Sequence, residues 1–163
     1  IARIHTYDID EPSIGVQVEM AGDIQGYVAL FFPPASAYHV IDLLLGNEQG
    51  TSSNLTEIGG SALCEIGNLA GAFFLNYLAE ATRLRAMPSP PVLNGSAEVI
   101  KELQGFLRGS GQSECAKAFV AQTVLSYSAK SVDAMFFILP THESLATILA
   151  ALKKSGKESN GGI

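Results

Sequence analysis

At 163 residues, with 47 % hydrophobic and only 16 % charged side chains, the chain has the size of one folded domain and is too apolar to be disordered. A formal net charge of −6, with ten basic residues spread without a patch, argues against nucleic acid as a partner. No uninterrupted apolar run approaches about 18 residues, so no membrane insertion is expected, and no signal-peptide pattern follows Ile1.

Ile14 to Met20 alternates in polarity and predicts a strand, closed by the turn signal Ala21-Gly22-Asp23. Gly26 to Phe32, rich in β-branched and aromatic residues, predicts a second strand, which Pro33-Pro34 stops. Tyr38, Ile41, Leu44 and Leu45 recur at helical spacing over Ala35 to Leu45, and Gly46 fits a C-terminal cap. After a loop over 47–53, a long helix is expected from about Leu55 to Ala81, with Asn54 and Glu57 as a capping box. Residues 86–95 hold three prolines and form an extended link, entering a strand at Pro91-Val92-Leu93. Ser96 caps a short helix to about Leu107, and a Gly-rich loop follows. Lys117 to Tyr127 and Val132 to Leu139 predict another strand pair, stopped by Pro140. Glu143 to Leu152 is a final helix. The domain therefore spans 1–152, and residues 153–163 read as a polar, frayed tail.

Cys64 and Cys115 have no zinc-type spacing and read as free thiols in a reducing cytoplasm. His5, His39 and His142 are far apart and match no nucleophile signature. Gly109-Ser110-Gly111 reads as a turn rather than a phosphate cradle, because no strand–loop–helix frame surrounds it.

The unit strand, turn, strand, proline, helix occurs twice. Pro33 and Pro140 align at an offset of 107. Val28, Leu30, Phe31 and Phe32 then fall on Met135, Phe137, Ile138 and Leu139, Ile41 on Ile148, and Leu45 on Leu152. By the same offset, a match to the long helix would start about 50 residues ahead of Ile1. The fold class expected is α+β: an antiparallel sheet carrying long helices, built from two strand–strand–helix units.

On a helical wheel, Ala62, Ile66, Leu69, Ala70, Phe73 and Tyr77 share a broad face that is expected to pack on the sheet. Ser61, Glu65, Asn68, Ala72 and Asn76 form a second stripe. Beside it runs the small row Gly60, Cys64, Gly67 and Gly71. Each interior glycine costs about 1 kcal/mol against alanine, which close approach by a second helix or a partner would offset. A polar helix face is ordinarily just a solvated one. An amide and a carboxylate one turn apart can nevertheless hold a water and clamp a cation. That chemistry suits positioning rather than covalent catalysis.

Ser61-x3-Glu65-x2-Asn68-x22-Pro91 resembles the signature of the CheC/CheX/FliY family of phosphatases acting on the chemotaxis response regulator CheY. All four defined positions match. Leu55-Thr56-Glu57, Glu65-Ile66-Gly67-Asn68 and Pro88-Ser89-Pro90-Pro91 read like CheC, as do Gly22-Asp23-Ile24-Gln25-Gly26 and Asp42-Leu43-Leu44-Leu45-Gly46. The resemblance covers roughly residues 14–152. It implies that Asn68 enters the partner's site and orients the attacking water, similar in role to the glutamine of GTPases. It implies that Glu65 bridges to the invariant lysine of the response regulator. Ser61 would support the stripe, and Pro91 would shape the strand after the helix. The aspartyl-phosphate and Mg²⁺ would belong to the partner, so no cofactor or metal is expected on this chain. Phosphorylated CheY is the implied partner, with the receptor deamidase CheD and a second copy of the chain as further ones. CheC carries its motif twice, whereas this sequence shows one copy. A truncated CheC or a one-site variant nearer CheX would account for that. The alternative function is a non-catalytic interaction module, CheD-binding or part of the flagellar switch.

Overall fold

The computed structural model describes residues 13–95, 98, 101, 119–127 and 130–159. It opens with β1 (Ile14–Gly22) and β2 (Gly26–Phe32), an antiparallel pair running from Ile14 opposite Phe32 to Met20 opposite Gly26. Asp23 pins their turn. Its N–H donates to Arg85 O at 2.8 Å, and its carboxylate accepts from the Arg85 N–H at 2.9 Å. Helix α1 (Pro34–Leu45) follows directly, because a proline in the first helical turn leaves no N–H unpaired. Gly46 ends it at φ 70°, a left-handed conformation that favours glycine.

Helix α2 (Glu57–Thr82) is capped by Thr56, not by Asn54. Thr56 Oγ1 accepts from the Gly59 N–H at 3.1 Å, so the helix begins two residues later than the capping-box pattern suggests. Then come β3 (Ala86–Pro88), β4 (Val92–Gly95), β5 (Phe119–Tyr127), β6 (Lys130–Pro140) and α3 (His142–Ser159). The tail expected from Lys153 is helical as far as Ser159. Lys153, Lys154 and Ser155 are exposed, and a solvent-facing helix turn needs no apolar stripe, so hydrophobic periodicity does not report it. The helix expected over 96–107 lies outside the described residues, apart from Glu98 and Lys101, which are helical. Gly109-Ser110-Gly111, His5 and Cys115 also lie outside them.

All described strand pairs are antiparallel, in the order β3-β1-β2-β6-β5, with β4 also on the outer edge of β1. In the central pair, Ala29 lies opposite Phe137 and Leu30 opposite Phe136. The offset of 107 carries Ala29 onto Phe136 and Leu30 onto Phe137. The β2–β6 seam is therefore a local two-fold axis relating the two strand–strand–helix units. The repeat-mates Ile41 and Ile148 fill two corresponding core clusters. One contains Val16, Leu30, Phe32, Ile41 and Leu63, and the other Met20, Val28, Leu75, Leu78 and Ile148. Helix α2 bridges both, meeting α1 through its first half and α3 through its second.

By length and composition alone, α2 is long and apolar enough to cross a membrane. Its inner face is committed to the sheet, however, and core helices of folded domains pass the same test.

Candidate functional site

The glycines of α2 decide which way the helix faces. Gly60, Gly67 and Gly71 are buried together with Leu63, Leu75 and Leu78. A Cβ at Gly67 would overlap Val16 Cγ1 and sit 3.1 Å from Val16 Cβ. One at Gly60 would lie 3.1 Å from Leu93 Cδ2. The small row thus lets α2 settle directly on β1 and β4, and it does not await a second helix or a partner. The wheel's expectation for the large apolar residues is overturned at three positions. Leu69, Phe73 and Tyr77 are 57, 77 and 65 % exposed, while Ile66 and Ala70 stay packed against the core. Periodicity alone assigns the largest side chains to the sheet. Here β1 and β4 meet the glycines while Leu63, Leu75 and Leu78 fill the core beside them, because closeness of backbone outweighs side-chain area at this seam.

With its inner face fixed, α2 presents Ser61 and Glu65 to solvent and leaves Asn68 half-buried. Opposite them the edge strand is interrupted. Pro88 faces Met20 and Val92 faces Gln17, so Ser89, Pro90 and Pro91 oppose only Val18 and Glu19. This is a one-residue bulge. Pro90 and Pro91 have no N–H to give the ladder, and the outer edge is where a sheet tolerates that. Ser89 ties the bulge down. Its N–H donates to Glu19 O at 2.9 Å, and its Oγ accepts from the Glu19 N–H at 3.0 Å.

Between α2 and this bulge lies a groove of about 590 Å³. All four signature residues line it: Ser61, Glu65 and Asn68 from the helix, and Pro91 from the bulge. Gly60, Cys64 and Leu93 also line it. Glu57 is a residue that the motif reading missed as a site residue. It precedes Ser61 and Glu65 at four-residue spacing, so the wheel carried the signal, but capping had claimed it. Among the described residues the lining holds two carboxylates and no cation, which favours a positively charged group arriving from outside. Burial pushes the Cys64 thiol up, away from a reactive thiolate. No cluster of three or more metal-ligating side chains exists among the described residues.

The loop leading into α2 hangs from Asp42, a fully buried residue of α1. Its Oδ2 accepts from the N–H groups of Gly50 at 2.8 Å and Thr51 at 3.1 Å, and its Oδ1 from Ser52 N–H at 3.0 Å. The Ser52 side chain and these N–H donors hold the Asp42 carboxyl below the ordinary carboxylate range, against burial, which pushes it up.

No family model matches the chain. It is 29 % identical over 154 residues to the CheY-P phosphatase CheC of Bacillus subtilis (strain 168), covering 90 % of this chain and 71 % of that one. It superposes on Thermotoga maritima FliY with a TM-score of 0.67 at 16 % identity, over 89 % of this chain and 72 % of that one. A chain of the CheX–CheY–BeF3–Mg²⁺ complex of Borrelia burgdorferi gives a TM-score of 0.56 at 17 % identity, over 79 % and 76 %. In sequence the chain is similar to CheC, and in fold to CheX and FliY, the CheC/CheX/FliY group that its signature resembles. The solved CheX and FliY structures share its fold. The CheC/CheX/FliY signature, read from the sequence as spacing alone, corresponds in three dimensions to a single groove.

Proposed function

We propose that this chain dephosphorylates a phosphorylated CheY-type response regulator in the cytoplasm, with Asn68 and Glu65 as the working pair. One observation carries the proposal: Ser61, Glu65, Asn68 and Pro91 converge on one open groove although Pro91 comes from a different element. The relatives named CheC and CheX supply the substrate class. Asn68 is neutral and can both donate to and accept from a water, so it can hold that water beside a phosphoryl group without repelling it. The water oxygen bonds to phosphorus as the acyl-phosphate P–O bond breaks, releasing inorganic phosphate and a free aspartate on the receiver. The attacking water supplies the protons that phosphate carries away. Glu65 clamps a lysine of the receiver and so fixes the approach. Ser61 supports the contact surface, and Pro91 shapes the groove wall. Mg²⁺ would be the receiver's own.

The test is phosphate release from a cognate phosphorylated receiver with wild type, Asn68→Ala and Glu65→Ala. Wild type is expected to accelerate release. Asn68→Ala should remove most of the acceleration with its melting temperature kept, and Glu65→Ala should mainly weaken association. Absence of acceleration by wild type with every receiver of its own genome would sink the phosphatase reading.

A further inference from the structure

The row that carries Ser61 and Glu65 does not stop at the groove. It continues at four-residue spacing as Leu69, Phe73 and Tyr77, all more than half exposed. Between Glu65 and Glu80 the helix has no charged residue. Two exposed aromatic rings and a leucine in an uncharged stretch have the composition of an interface core. We infer that this ridge is the docking half of the site, covered by the same receiver domain whose phosphorylated end meets Asn68; the inference rests on the function proposed above.

Geometry and charge select that occupant. Tyr77 lies nine residues beyond Asn68, about 13.5 Å along the helix axis. A standard protein interface buries about 800 Å² per partner, a disc about 16 Å in radius. A folded domain that brings its active site to Asn68 therefore covers the ridge as well. Among the described residues the groove end offers Glu57 and Glu65 without a cation, which fits a partner presenting a positive group beside its phosphoryl. The ridge end offers only apolar area and fits an uncharged patch beside that site. A second copy of this chain presents the same groove, whose described lining holds two carboxylates and no cation, so that groove offers Glu57 and Glu65 no positive group to pair with.

The measurement is titration of a CheY-type receiver from the same genome, loaded with beryllofluoride and Mg²⁺, into wild type, Phe73→Ser, Leu69→Ser and Phe73→Leu. Sedimentation and thermal melts of each protein accompany it. The expected result is at least tenfold weaker binding for both serine variants and near-wild-type binding for Phe73→Leu, with melting temperatures unchanged because these side chains face solvent. Unchanged affinity in the serine variants overturns the inference. So does a wild-type dimer that Phe73→Ser dissociates without changing receiver affinity, since the ridge would then join two copies. Absence of receiver binding by wild type overturns it too. Ridge-dependent binding without phosphate release overturns the phosphatase reading alone. Asn68-dependent release with ridge-independent binding overturns the docking inference alone.

Discussion

The inner face of α2 gives the sheet Gly60, Gly67 and Gly71, and the outer face gives solvent Glu65, Leu69, Phe73 and Tyr77. The two faces lie on one helix and are built in opposite ways. Inside, glycines between Leu63, Leu75 and Leu78 leave room for α2 to rest on Val16 and Leu93. Outside, long and aromatic side chains are kept although nothing among the described residues covers them. The inner face sets how close and at what rotation the helix sits. That rotation is what aims Glu65 and Asn68 into the groove. A change inside should therefore break the fold, and a change outside should break function with the fold intact.

The strongest way to break this contrast is at Gly67. Gly67→Leu would drive a side chain into the stiff, β-branched Val16 on β1 and is expected to cost about 3 kcal/mol or more, read as loss of the cooperative thermal transition. The inner row is itself graded. A Cβ at Gly71 would meet Val18 atoms at 3.6–3.7 Å, an ordinary contact. Gly71→Ala should then gain up to about 1 kcal/mol from helix propensity and raise the melting temperature. If both substitutions have the same sign, closeness to β1 is not what selects glycine here.

On the outer face, Asn68→Ala is expected to lower phosphate release about 100-fold, the scale for removing one positioned donor in a reacting site. Glu65→Gln should weaken receiver association by up to about tenfold, because an exposed pair gains little in water. Both variants should melt with wild type. A joint loss of fold would make the polar stripe structural and erase the contrast between the faces.

The pattern of the sequence reached much of this. Paired prolines, alternation and the offset of 107 anticipated β1, β2, α1, β6 and the symmetry of the seam, because strand period and proline stops are local properties. The motif brought Ser61, Glu65, Asn68 and Pro91 together before any geometry. The rotation of α2 was not accessible in that way. Hydrophobic periodicity weighs side chains by size and cannot count the absence of one, so the glycine row looked like a flaw needing a partner. Strand β3 and the bulge also escaped, because prolines in 86–95 mask pairing that runs through Ala86, Met87 and Ser89. Asp42 gave no periodic signal at all. Its partners are backbone groups of residues 50–52, which only the folded loop brings near.

Asp42 offers a milder test, because it holds the approach to α2 rather than either face. Its carboxyl titrates below its ordinary value of 3.8 in the folded chain. A depressed folded value means stability fully present above the unfolded value and lost as pH falls through the folded one. Asp42→Asn should therefore lower the melting temperature at pH 7, by less than Gly67→Leu does. The gap between variant and wild type should close as both are taken well below pH 4, where wild type also loses its charge. A gap that stays constant with pH would mean that shape, not charge, secures the loop.

The smallest effect is expected at Pro91, where lining a groove and forming its wall can be told apart. Pro91 closes a bulge in which three residues already oppose two, and Ser89 supplies the hydrogen bonds that hold it. Pro91→Ala removes one restriction on the unfolded chain and should cost under about 1 kcal/mol. Because the side chain has no donor or acceptor to offer a phosphoryl group, phosphate release should fall a few-fold at most. Pro91→Gly loosens the same backbone further and should lose more, in step with its melting temperature. A drop in release as large as that of Asn68→Ala, with the melting temperature kept, would place Pro91 against the substrate and extend the functional face from the helix onto the sheet edge.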